Sequence, residues 1–78
     1  MKHADSSWLV YICTKSGKLY VGITTDLKHR MKQHVGAELL YREGPFTEAE
    51  AANRERQLKG WSRVKKLRLL QNKPGISM

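Results

Sequence analysis

The sequence predicts one α+β domain: a three-stranded antiparallel sheet flanked by helices, in the order ββαβαα. Three observations lead there. Two runs of strand-forming residues are separated by only a few turn residues. Two later segments open on helix-start signals and a third on a serine cap. The 78 residues suffice for one domain and a modest core, so 1–78 is read as a single unit with its core at about 8–70.

The first seven residues, "MKHADSS", are polar and expected to fray. Residues 8–14 are strand-compatible throughout (Trp8, Leu9, Val10, Tyr11, Ile12). "KSGK" is a turn in which Gly17 supplies the positive φ of a tight hairpin, and 19–23 is the returning strand. "TTD" offers an N-cap for a helix over 26–35, with Leu27, Met31 and Val35 four apart on one side and Gly36 as its stop. "AELLYR" is the third strand and "EGPF" a loop. Thr47 followed by Glu50 is a capping-box signature opening a helix that runs to Lys59 and stops at Gly60. Ser62 caps a last helix to about Gln71, closed by "NKPG". Directly joined strands form an antiparallel hairpin, and the third strand returns beside them with helices packed on the sheet.

The chain carries a formal net charge of +8, which attracts polyanions. From Arg54 onward eight basic residues face one acid, Glu55, so this third holds +7 of that excess. One sign at that density favours an anion-facing surface over an ordinary solvated helix. The lone Cys13 forms no internal disulfide and suits a reducing cytosol. The apolar run Trp8–Cys13 is too short for a signal core or a membrane span, so a cytoplasmic protein without membrane attachment is expected. His3, His29 and His34 match no zinc spacing.

Hairpin geometry places the tyrosines. With Ser16 and Gly17 at the turn, Lys15 pairs with Lys18, Cys13 with Tyr20 and Tyr11 with Gly22. Alternation then puts Tyr11, Cys13, Tyr20 and Gly22 on one face, with the tyrosines diagonal neighbours about 7–8 Å apart at the backbone. A three-residue turn would put them on opposite faces. Gly22 implies a close approach beside Tyr11. The hairpin alone supports a packed aromatic pair as well as it supports a chemical site.

In "DLKHRMKQH", Arg30 and His34 flank the Leu27–Met31 line, either snorkelling or pointing into a cleft. Lys28 and Lys32 take the outer face. Arginine offers a planar fork of donors for phosphate, and histidine moves protons near neutral pH. In "EAEAANRERQLKG", Glu55 interrupts a stripe of Ala51 and Leu58. A carboxylate there must be paired or bound to a cation. It either pairs with Lys59 at the stripe's edge or ligates a hard divalent ion.

These residues resemble the GIY-YIG nuclease family. The match runs through "VYI", "YVG", "TTDLKHRMKQH" and "NRERQLKGWSR", covers about residues 8–70, and comes nearest to that family's small single-domain bacterial branch. The resemblance implies a metal-dependent DNA endonuclease with one divalent ion, Mg²⁺ or Mn²⁺. It implies Tyr11 as the base that activates water, Tyr20 as a positioner of nucleophile or phosphate, Arg30 as the stabiliser of phosphorane charge, His34 as base helper and Glu55 as metal ligand. Gly22 is the structural glycine of the site. A phenol is a poor base unless a cation lowers its pKa from about 10; a neighbouring Arg30 or a metal could do so. Lys28, Lys32, Arg54, Lys59, Arg63, Lys65, Lys66 and Arg68 are the expected nucleic-acid contacts, and the expected partner is DNA, with branched and damaged forms included. Repair or recombination is the finer expectation, and a homodimer or protein partner is one way for so small a surface to gain specificity.

Two departures stand out. No glycine precedes Tyr11, where Leu9 and Val10 stand. After His34, "VGAELLY" enters the third strand where relatives carry a longer basic, glycine-containing loop; Asn72 is only a loose match for their late asparagine. The short segment favours a second reading, a nucleic-acid-binding module with weakened or lost turnover. A third is a protein-interaction domain using the basic C-terminal helix.

Overall fold

The computed structural model describes residues 6–71. The elements are β1 (Trp8–Lys15), β2 (Lys18–Thr24), α1 (Leu27–Gln33), β3 (Glu38–Phe46), α2 (Glu48–Lys59) and α3 (Arg63–Gln71). The order is ββαβαα, and the sheet is antiparallel with β1 in the middle, β2-β1-β3. The expected fraying of "MKHADSS" falls largely outside the described residues, as do the "NKPG" stop and Asn72.

The hairpin register is the one the two-residue turn requires: Lys15 opposite Lys18, Cys13 opposite Tyr20, Tyr11 opposite Gly22. Alternation along β1 then divides the molecule. Val10 and Ile12 face α2 and are fully buried. Val10 packs with Ala51 and Leu58, and Trp8, Val21, Ile23, Phe46, Trp61 and Leu69 close around them. Tyr11 and Cys13 face the other way and pack with Leu27, flanked by Leu9, Met31 and Ala37.

The helix starts follow their caps. The Asp26 carboxylate accepts from the His29 N–H at 3.0 Å, satisfying one donor orphaned at the helix start. Thr47 and Glu50 form both halves of a capping box. Ser62 accepts from the Lys65 N–H at 3.1 Å.

Two expectations are corrected. Helix α1 ends at Gln33 with His34 as its C-cap, so Val35 leaves the apolar stripe and is 78% exposed. "EGPF" is not a loop: β3 continues through it to Phe46, which pairs with Trp8 across a register shift. Gly44 makes this possible. It sits at φ +123°, and a Cβ there would come within 2.8 Å of the Trp8 carbonyl oxygen, so the bulged strand passes only where no side chain stands.

Candidate active site

Tyr11 is the centre of the α1-side face. It is buried, and its ring lies across Gly22: a Cβ at position 22 would stand 2.5 Å from the hydroxyl oxygen and 2.6 Å from Cζ. The close approach expected at Gly22 is therefore made by Tyr11 itself. Glycine lets the ring cross β2. Tyr20 stands on the same face but is 48% exposed.

A cleft of about 380 Å³ opens here, lined by Tyr11, Cys13, Lys15, Tyr20, Val21, His34 and Ala37. Both hairpin tyrosines and His34 thus border one space. His34 owes its place to the end of α1, where its N–H donates to the Arg30 carbonyl at 3.2 Å. Arg30 is half-buried and acts electrostatically on Tyr11.

The Tyr11 hydroxyl is pushed above its ordinary pKa of 10.0, first by burial. Arg30 and Lys59 pull it down, while Cys13 and Glu55 push it up. Burial wins, so Arg30 alone does not make Tyr11 a ready base, and the phenol keeps its proton at neutral pH. The same balance shows that Glu55 and Lys59, from α2, are near enough for their charges to be felt at Tyr11. Burial likewise raises the Cys13 thiol, with Lys15 opposing, so this cysteine is an inert lining residue rather than a thiolate.

Glu55 lies at the edge of the Ala51–Leu58 stripe. Its side chain is 24% exposed, and Lys59 Nζ stands 3.1 Å from Oε2. The carboxylate thus already faces a cation. Among the described residues no group of three or more His, Cys, Asp and Glu side chains converges on a metal position. A single partly exposed carboxylate still fits a hard divalent ion, which takes one or two protein carboxylates and keeps several waters, provided Lys59 swings aside.

The expected nucleic-acid contacts divide. Lys28, Lys32, Arg63, Lys65 and Arg68 are exposed and Lys66 is half-buried. Lys59 is exposed but paired with Glu55, and Arg54 is engaged within the fold. Arg54 grips Glu43 with two parallel bonds, Nε to Oε1 and Nη2 to Oε2, both 2.8 Å, and donates through Nη1 to Gln57. Its guanidinium also lies over the Trp61 ring at 5.3 Å, with Lys65 Nζ at 4.4 Å.

Glu43 and Tyr41 were not singled out in the sequence. The Tyr41 hydroxyl donates to Glu43 Oε2 at 2.6 Å. Burial, then this bond, pushes the Tyr41 pKa up to about 12. Arg54 holds the Glu43 carboxyl below its ordinary value despite burial. The trio ties β3 to α2, the helix that carries Glu55. Its signal was legible in principle: Tyr41 and Glu43 are two apart, opposite Ile12 and Val10, which puts a carboxylate on an apolar face. Ending the strand at Arg42 hid it. Arg42 itself, opposite Tyr11 and exposed, was also missed.

Residues 7–38 match the GIY-YIG catalytic domain, the span that supplies the hairpin tyrosines, Arg30 and His34. Fold and match together define the class: this is a GIY-YIG domain, which implies a nuclease-type phosphodiesterase with a nucleic-acid substrate and, typically, a divalent metal. The chain belongs to the bacterial UPF0213 family. It is 39% identical over 81 residues to a UPF0213 protein of Sodalis glossinidius, covering 95% of this chain and 76% of the relative. To UPF0213 proteins of Yersinia pestis and Yersinia pseudotuberculosis it is 44% identical over 71 residues, covering 82% of this chain and 75% of each. No solved structure matches the chain significantly. Among the described residues no helix is long and apolar enough to cross a membrane.

Proposed function

We propose that this protein is a metal-dependent endonuclease that hydrolyses DNA phosphodiester bonds at the cleft between the hairpin and α1. The observation that carries the proposal is the convergence of Tyr11, Tyr20 and His34 on that one cleft, with Arg30 and Glu55 close enough to shift Tyr11.

Hydrolysis needs an oriented water and donors for the charge that develops on phosphorus. Tyr11, locked over Gly22 and still protonated, orients the water or a phosphate oxygen by hydrogen bonding. It gives up its proton only as positive charge gathers beside it. Arg30 is the permanent cation of the site and serves both the phenolate and the phosphorane. Tyr20, exposed on the rim, positions the phosphate. His34, on the cleft wall, is placed to accept or return a proton. Glu55 would hold one Mg²⁺ or Mn²⁺, which when bound polarises the phosphate and lowers the pKa of water. Lys28, Lys32, Arg63, Lys65, Lys66 and Arg68 supply positive surface for the strand.

The test is nicking of plasmid and branched DNA with Mg²⁺ or Mn²⁺. Wild type nicks; Tyr11→Phe and Glu55→Ala do not. Branched and damaged substrates come first, on the reading that the activity serves repair or recombination in the cytoplasm. A second reading, a binding module without turnover, draws on two observations: only residues 34–37 link α1 to β3, and burial outweighs Arg30 at Tyr11. Wild type that binds DNA but leaves it intact with both metals would establish that reading.

A further inference from the structure

The hairpin that carries the tyrosines ends in a feature that costs stability. Lys15 and Lys18 stand directly opposite one another and both are exposed. As the pair closing a two-residue turn their Cα atoms are about 5.5 Å apart, and like charges directly opposite are destabilising. The turn fixes the two backbones beside each other: Ser16 sits at φ 55° and Gly17 at φ 78°.

A third cation joins them. Arg63, at the start of α3, reaches the tip and donates from Nη1 to the Gly17 carbonyl at 3.3 Å. That contact uses one of the guanidinium's five N–H groups. Among the described residues neither lysine nor Arg63 belongs to an ion pair; the pairs formed are Arg54–Glu43 and Lys59–Glu55.

The cluster is continuous with the cleft. Alternation puts Lys15 on the face of Tyr11 and Cys13, and Lys18 on the face of Tyr20 and Gly22, and Lys15 itself lines the cleft. From the Tyr11–Gly22 row to the Lys15–Lys18 row is four residues along the strands, about 13 Å. A nucleic-acid strand advances about 3.4 Å of helix axis per phosphate. A strand with one phosphate at Tyr11 therefore brings a neighbour a few steps away over the tip. That alignment favours a linear polyanion over a lipid surface or a scattered acidic patch.

We propose that the hairpin tip is a second phosphate-binding subsite, formed by Lys15, Lys18 and Arg63, which holds the nucleic-acid backbone to one side of the cleft. This rests on the cleft being the phosphodiesterase site. The subsite sets the direction in which the strand leaves the reacting phosphate, and it makes affinity depend on strand length.

Two variants test it, Lys15→Gln/Lys18→Gln and Arg63→Gln. Binding is measured by fluorescence anisotropy without metal, across a salt series, on a strand long enough to reach the tip and on one too short. For the double variant on the long strand, the slope of log K against log salt becomes shallower by about 1.4 to 1.8, the loss of two phosphate contacts. Arg63→Gln removes about half that, and both variants change binding of the short strand less than that of the long one. The double variant melts no lower than wild type, because a like-charge pair has been removed. An unchanged slope, a lower melting temperature, or preferential binding to anionic vesicles overturns the proposal. If wild type still nicks while the slope is unchanged, the subsite alone has failed. If wild type binds no strand, the phosphodiesterase reading has failed with it.

Discussion

The two faces of β1 differ sharply, although they come from alternate residues of one strand. On the α2 side Val10 and Ile12 are fully buried, Val10 against Ala51 and Leu58, and the polar groups that enter, Tyr41, Glu43 and Arg54, satisfy one another. On the α1 side Tyr11 and Cys13 are buried, yet a cleft opens between them and His34, and Tyr20 stands half in solvent. Helix α2 has twelve residues and a full capping box, while α1 has seven and one side-chain bond, to Asp26, at its start. One face is built for stability. The other leaves its polar groups where a substrate can reach them. Strand alternation makes the division sharp, because a slip of one residue would exchange the two faces.

The largest stability effect belongs to the sealed face. Leu58→Ala removes a fully buried side chain from it and is expected to cost about 2–5 kcal/mol, a large share of the 5–15 kcal/mol roughly typical of a domain. Urea denaturation reads it; a loss well under the lower figure would mean that this face is not the principal core.

Gly22→Ala carries the comparison to the cleft. The new Cβ must displace the Tyr11 ring, with a cost of about 1–3 kcal/mol from overpacking and loss of nicking. Unchanged nicking in a folded variant would break the link between the ring's position and activity.

The Glu43 network is read by pH. Its folded pKa is lowered from 4.5, first by the Arg54 hydrogen bonds. Its stabilising contribution is therefore complete above the unfolded carboxylate range and is lost as pH falls through the folded value. Thermal melts should decline on acidification from that range downward. In Glu43→Gln the melting temperature at neutral pH should be lower and the acid decline flatter. An acid limb identical to wild type would show that Glu43 does not carry it.

The smallest stability effect is that of Tyr20→Phe. The exposed hydroxyl leaves melting within about 0.5 kcal/mol while nicking weakens, measured on the same preparation. A clear stability loss would move Tyr20 from the rim of the cleft to the core.

Much of this was legible in the chain. The register followed from "SG" between two apolar runs, the helix starts from "TTD", Thr47 and Ser62, and the shared face of Tyr11 and Tyr20 from arithmetic on a two-residue turn. Errors fell where local signals were weak. Val35 fits the spacing of Leu27 and Met31, but the chain leaves the helix before reaching it. Gly44 and Pro45 read as a loop, because neither favours a strand and a bulge needs its partner strand to be recognised.

The sequence by itself determined which residues share a face, since strand period and turn length are local properties of the backbone. It also set the excess of positive charge. Tertiary structure decided how those residues are used. It laid the Tyr11 ring over Gly22 and raised its pKa by burial, and turned Arg54 from the basic surface to Glu43 on another element. Burial and ion pairing join residues distant along the chain, so neither could be read until the elements had packed.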